Sequence, residues 1–108
     1  MGKKLPRPTI HGIRVLAALL EAPPVGAYGL ELMRHAGVSS GTLYPLLTRY
    51  EAAGFITGQW EDIDQQTEGR RRRRYYKISG RGVEAYRDWL STLSGASTVI
   101  DGLSVVVL

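Results

Sequence analysis

The sequence holds no cysteine, so disulfides, thiolate metal sites and cysteine nucleophiles are all excluded. It holds only two histidines, and neither His11 nor His35 lies in a motif with a serine nucleophile or a metal-ligand partner. Catalysis is therefore not expected. No apolar run approaches the roughly 20 residues that a membrane-spanning helix needs. Residues 1–8 carry charge without an apolar stretch behind them, so a secretory signal is not expected either. These absences fit a cytoplasmic protein, and no cofactor is expected. The acids Glu61, Asp62, Asp64 and Glu68 lack the spacing of a calcium-binding loop.

What is present suits one domain with a modest core, at 108 residues. Apolar residues make up 44 % and charged residues 22 %, ordinary values that argue against a wholly disordered chain. The net charge is +4, and its distribution matters more than its size: five of the fourteen Lys and Arg residues are consecutive, at 70–74. A cluster that dense at one place on a fold is an electrostatic footprint for nucleic acid.

Along the chain, residues 1–8 hold three basic groups and two prolines and read as a flexible basic arm. Thr9 caps a predicted helix over 10–21, with Ile10, Ile13, Leu16, Ala17 and Leu20 on one stripe. Pro23 and Pro24 end it. A short second helix is predicted over 30–35, burying Leu30 and Met33, with Gly37 as its stop. Ser39 or Ser40 caps a third helix that ends near Gly54. Pro45 interrupts its hydrogen bonding, yet Leu43, Leu47 and Tyr50 keep an apolar register through it. Residues 55–60 and 72–78 read as two strands joined by the polar stretch 61–69, a β-hairpin. Ser79 caps a fourth helix with Val83, Tyr86, Leu90 and Leu93 spaced three, four and three, stopping at Gly95. The predicted fold is thus mainly α with a small β-hairpin, in the order α-α-α-β-β-α of a winged helix-turn-helix. The domain plan is a winged helix over 9–79, a C-terminal helix over 80–95 and an apolar tail over 96–108 without assignment.

The stretch Tyr28-Gly29-Leu30-Glu31-Leu32, followed by Gly41-Thr42-Leu43-Tyr44-Pro45-Leu46-Leu47, resembles the signature of the PadR family of transcriptional regulators. So do Tyr50-Glu51-Ala52-Ala53-Gly54-Phe55-Ile56, Trp60, and the return Arg74-Tyr75-Tyr76-Lys77-Ile78-Ser79. The resemblance runs from about residue 10 to about residue 93. Departures are small: Tyr50 stands where an aliphatic residue is usual, Ile78-Ser79 where Leu-Thr is usual, and the fourth helix is short, as in a compact subfamily.

The outward face of the third helix then enters the major groove of double-stranded DNA, whose roughly 12 Å width admits a helix. Gly41, Thr42, Pro45, Thr48 and Arg49 are its expected reading residues, with Ser39 and Ser40 at its start. Tyr28 and Tyr44 are expected on phosphate near helix N-termini. At the wing tip Arg70, Arg71 and Arg72 are the expected backbone contacts.

The resemblance further implies a homodimer through the fourth helix, using Val83, Tyr86, Trp89, Leu90 and Leu93. Tyr86 and Trp89, one turn apart, are candidates to line a pocket for a small aromatic effector. Repression is the expected mode, because blocking a promoter needs only a tight dimer on an inverted-repeat operator. The rival reading is a winged helix used for protein–protein or RNA contact. Such modules often lose the basic wing and polar outer face that this chain retains, although the apolar tail suits them better.

Overall fold

The computed structural model describes residues 5–96, 99–100 and 103–104. Thr9 opens the first helix, its hydroxyl oxygen accepting the Gly12 N–H at 2.9 Å. Helix α1 runs Ile10–Leu20 and buries Gly12, Val15, Leu16 and Leu19. Only Leu16 of the expected stripe is fully buried, and Leu20 is 40 % exposed. The helix is apolar on nearly every side, so spacing alone admits two adjacent stripes. Packing selects the one that carries Gly12.

After the proline pair, Ala27–Tyr28 form a two-residue strand, β1, that the sequence pattern does not announce. Helix α2 follows at once, Gly29–Ala36, and buries Gly29, Leu32 and Ala36. Leu30, expected inside, is 44 % exposed, and Met33 is only partly buried. The helix begins a residue earlier than its spacing suggests, and Glu31 holds that start by accepting the Tyr28 N–H at 3.2 Å. Gly37 ends it, its N–H on the Met33 carbonyl at 2.9 Å.

Helix α3, Ser40–Ala52, carries Pro45 in its interior without breaking. Leu43, Leu47 and Tyr50 are buried as expected, and Leu46 joins them. Proline removes one donor, and the four buried apolar side chains outweigh that loss. The hairpin strands are β2, Ile56–Trp60, and β3, Arg74–Ile78, paired antiparallel from Ile56↔Ile78 to Trp60↔Arg74. β1 adds to the far side of β3, so the sheet has three strands in the order β1-β3-β2. The loop between β2 and β3 holds one helical turn, α4, Gln65–Glu68.

Ser79 joins the wing to the last long helix, α5, Gly80–Ala96. Its hydroxyl sits 2.6 Å from the Gly54 carbonyl and accepts the Gly82 N–H at 3.1 Å. Beyond α5, Val99–Ile100 (β4) pairs with Leu103–Ser104 (β5). Residues 1–4 of the expected arm and the apolar end of the tail, 105–108, lie outside the described residues.

The core gathers around Tyr50, which is fully buried. Its ring meets Phe55 at 5.7 Å and Trp89 of α5 at 5.8 Å, and Trp89 meets Phe55 at 5.8 Å. The Tyr50 hydroxyl ends against the backbone of Gly12, where a Cβ would collide with it. Thr9 lies alongside, its hydroxyl oxygen accepting the Gly12 N–H, and the Tyr50 hydroxyl has no well-formed hydrogen bond among the described residues. Burial pushes its pKa up to about 12, partly offset by Thr9 and Arg49. Gly12→Ala should therefore destabilise the protein by about 1–3 kcal/mol through overpacking, despite the better helix propensity of alanine. Tyr50→Phe removes the nearest of the atoms that the Cβ would meet, leaving Thr9 Oγ1 at 2.9 Å, and also removes an unpaired buried polar group, so adding it should restore part of the loss. Thermal unfolding of the wild type, both single variants and the double variant checks this; equal midpoints for Gly12→Ala and wild type would refute it.

Candidate nucleic-acid interface

With Leu43, Leu46, Leu47 and Tyr50 turned inward, α3 presents Gly41, Tyr44, Pro45, Thr48, Arg49 and Ala52 to solvent, with Thr42 half-buried. Ser39 and Ser40 are exposed at its start, and the Ser39 hydroxyl donates to Thr42 Oγ1 at 3.3 Å. The Thr48 hydroxyl donates to the Tyr44 carbonyl at 3.1 Å. Its proton is thus occupied, which leaves its methyl group and oxygen lone pairs for an incoming surface. Arg49 is exposed and forms no ion pair among the described residues. The structure therefore puts the expected reading residues on one accessible face.

Tyr44 is not a core residue; it is 47 % exposed. Its ring lies over Gly29 at the start of α2, where a Cβ would stand 2.9 Å from Tyr44 Cζ. Tyr28, the residue before α2, packs on Tyr75 at 5.5 Å. Between this corner and the wing runs a groove of about 440 Å³. Its walls include Tyr28, Tyr44, Trp60 and Tyr76 together with Arg72, Arg73 and Arg74. Trp60 and Arg73 were not among the expected contacts. A tryptophan on a strand reads as core from sequence, and here it is 59 % exposed.

The five consecutive arginines do five different things. Arg70, expected at the DNA backbone, forms a two-pronged pair with Glu61, Nη1 to Oε1 at 2.7 Å and Nη2 to Oε2 at 2.9 Å. Glu61 also accepts the Arg73 N–H at 3.2 Å, and its own N–H donates to the Arg73 carbonyl at 2.8 Å. The pair of Arg70 and Glu61 thus closes the wing. Arg71 is exposed, and its carbonyl accepts from Arg70 at 3.2 Å. Arg72 is exposed, with Nε on the Ile63 carbonyl at 3.1 Å and its backbone N–H on Gln65 at 3.3 Å. The Arg73 guanidinium lies over the Tyr28 ring, 4.4 Å from its centroid. Arg74 pairs with Glu51 of α3 at 3.0 Å.

Two acids of the wing, Asp64 and Glu61, are structural too. Asp64 starts α4 by accepting the Gln66 N–H and the Thr67 hydroxyl, each at 3.0 Å. Those bonds, Thr67 first, hold its carboxyl below the usual range. The hydrogen bond from Arg70 holds the Glu61 carboxyl much lower, at about 2. No group of His, Asp and Glu among the described residues is arranged to hold a metal ion. No helix of the described residues is long and apolar enough to cross a membrane.

On α5 the expectations divide. Trp89 is only 7 % exposed and belongs to the protomer's own core, so it neither faces outward for dimerisation nor lines an effector pocket at the surface. Trp89 and Ala85, one turn apart, are buried, while Tyr86 packs on the margin of the same cluster. Val83, Tyr86, Leu90 and Leu93 are each half-buried, with apolar surface left over.

Comparison with known proteins bears on this geometry. The model of the transcriptional regulator PadR-like family matches residues 15–88, more than half of the chain. Among solved structures, a PadR family transcriptional regulator from Eggerthella lenta DSM 2243 is 28 % identical with a TM-score of 0.56, covering 81 % of this chain and 77 % of that one. A PadR-like transcription factor from Bacteroides fragilis is 24 % identical with a TM-score of 0.59, covering 80 % and 84 %. The protein smu.1704 from Streptococcus mutans UA159 shares the fold at 21 % identity and a TM-score of 0.63, covering 94 % and 92 %. No curated protein matches the chain.

The wing clamp has a pH signature. A carboxyl whose folded pKa is depressed adds stability above its unfolded pKa and loses it as pH falls through the folded value. For Glu61 that window runs from the ordinary 4.5 down to about 2. The expected outcome by NMR titration is a Glu61 carboxyl that protonates near the bottom of that window. In Arg70→Met it should return toward the ordinary range; a midpoint unmoved by that substitution would show that Arg70 does not hold it.

Proposed function

Since the chain belongs to the PadR-like family of transcriptional regulators, we propose that it is a homodimeric repressor that reads an inverted-repeat operator with α3 and grips the flanking backbone with its wing. Membership in that family makes it a DNA-binding regulator and not an enzyme. The observation that carries the finer reading is one continuous surface. Tyr44 of the exposed α3 face, Tyr28 and Arg72 of the wing line the same groove, and the exposed Arg71 precedes Arg72 in the chain. A helix in the major groove needs such a surface, because backbone contacts on either side fix its register while the helix face reads base edges.

Arg49 is the only basic residue of α3 and the one side chain on its face able to make a two-pronged contact with guanine. Arg71 and Arg72 serve as phosphate contacts, with Arg73 held on Tyr28 at the groove wall. The half-buried residues Val83, Tyr86, Leu90 and Leu93 pair α5 with its mate across the two-fold axis. A planar aromatic effector reaching that interface meets Tyr86, since Trp89 is enclosed. The site of action is the cytoplasm, on promoter DNA, by exclusion of polymerase.

Two measurements test this reading. Binding to the protein's own promoter region should fall with salt at a log–log slope of about −0.9 per neutralised phosphate. Arg49→Ala should cost about 1–3 kcal/mol on the operator and relax preference at one base pair, whereas Arg71→Ala should weaken all duplexes alike and reduce the slope by about 1. Salt-independent binding, or equal affinity for unrelated DNA, would overturn it. Separately, Leu90→Asp should convert the dimer to a monomer by mass in solution, and an unchanged mass would refute pairing through α5.

A further inference from the structure

The outer half of the wing has little apolar packing to hold it. β2 and β3 together bury Ile56 and Tyr76 only, and residues 57–75 contain no fully buried side chain. What reaches from that half back to α3 is Arg74. Its side chain crosses Gly58 of β2, where a Cβ would stand 2.8 Å from Nε and Nη2. The guanidinium lies 5.4 Å from the Trp60 ring and 5.9 Å from the Tyr76 ring. Nη2 then donates to Glu51 Oε2 at 3.0 Å. Glu51 stands on α3 one turn after Leu47 and next to Arg49 and Tyr50 in the same final turn.

The two side chains are 30 % and 32 % exposed, a setting in which water and salt leave an ion pair little net stability. Its geometry is nevertheless closely specified. A missing side chain at position 58, two ring neighbours and one carboxylate all converge on a single planar group. A charge so paired and stacked is also poorly placed to neutralise a phosphate. We propose that Glu51 and Arg74 are positioning residues for DNA recognition, holding the wing at the angle to α3 that lets both touch one duplex. This rests on the DNA-binding reading above and adds to it two residues that do not themselves contact DNA.

The sign of one substitution separates this role from simple electrostatics. Glu51→Gln removes a negative charge from the DNA-binding side, which by charge alone tightens binding to a polyanion. As a positioning residue its loss weakens binding, by about 5–10-fold on the operator duplex, the size of coupling seen between contacting residues. Arg74→Lys should do the same, because lysine keeps the charge but lacks the planar fork. The double variant should be no weaker than the weaker single one, since both break the same contact. Hydrogen exchange on the full-length protein supplies a readout without DNA: amides at the Trp60 and Arg74 end of the hairpin should exchange faster in Glu51→Gln, with those of α1 unchanged. Unchanged or tighter binding by Glu51→Gln, additive losses in the double variant, or unchanged hairpin exchange would each overturn the role of the pair. A wild type that shows no salt-dependent binding would instead overturn the DNA reading itself, and with it the purpose assigned to the pair.

Discussion

Tyr50 occupies a position that four elements share. It stands on α3, touches Phe55 just before β2, meets Trp89 of α5 edge-on, and ends against Gly12 of α1. A helix that must offer one face to a partner can be held only by the other, and α3 has four buried side chains for that purpose. Three are leucines whose packing could slide. The tyrosine is long and rigid, and its tip meets backbone, so it sets both the rotation of α3 and its distance from α1. The absence of a side chain at Gly12 and the enclosure of Trp89 follow from that single fit. So does the outward face of α3, since rotation about the helix axis decides which residues face solvent.

The wing works by a different principle, because it has almost no core. Its shape comes from charge and hydrogen bonding. Glu61 closes its neck on Arg70 and the Arg73 backbone, Asp64 starts the helical turn at its tip, and Arg73 rests on Tyr28. Individually such exposed contacts are weak. Together they give a surface loop one shape while leaving Arg71 and Arg72 at its edge. Two of the acids that dilute the positive charge of this segment, Glu61 and Asp64, are therefore also the ones that shape it.

This division explains what could be read in advance. The element order, the buried stripe of α3 and its exposed partner face follow from periodicity, because α3 is apolar on one side only. α1 is apolar on most sides, and its true face depended on Gly12 meeting Tyr50, a contact between residues far apart in the chain. β1 is two residues long and exists because β3 has a free edge, which no local pattern encodes. The roles within the arginine run are hidden for a related reason. Arg70 and Arg74 differ from their neighbours only through acids nine and twenty-three residues away. The burial of Trp89 is not legible either, because aromatic spacing on a helix does not say which side faces the protomer's own core.

The two tryptophans end up at opposite extremes of environment. Trp89 is 7 % exposed inside the aromatic cluster, while Trp60 is 59 % exposed at the groove wall beside Arg74. The protein thus carries two optical probes at separate addresses. Emission from the enclosed indole follows the integrity of the core, and emission from the open one follows whatever enters the groove or moves the wing. A water-soluble quencher reaches the second and spares the first. Folding and occupancy can therefore be followed in the same cuvette without attaching a label.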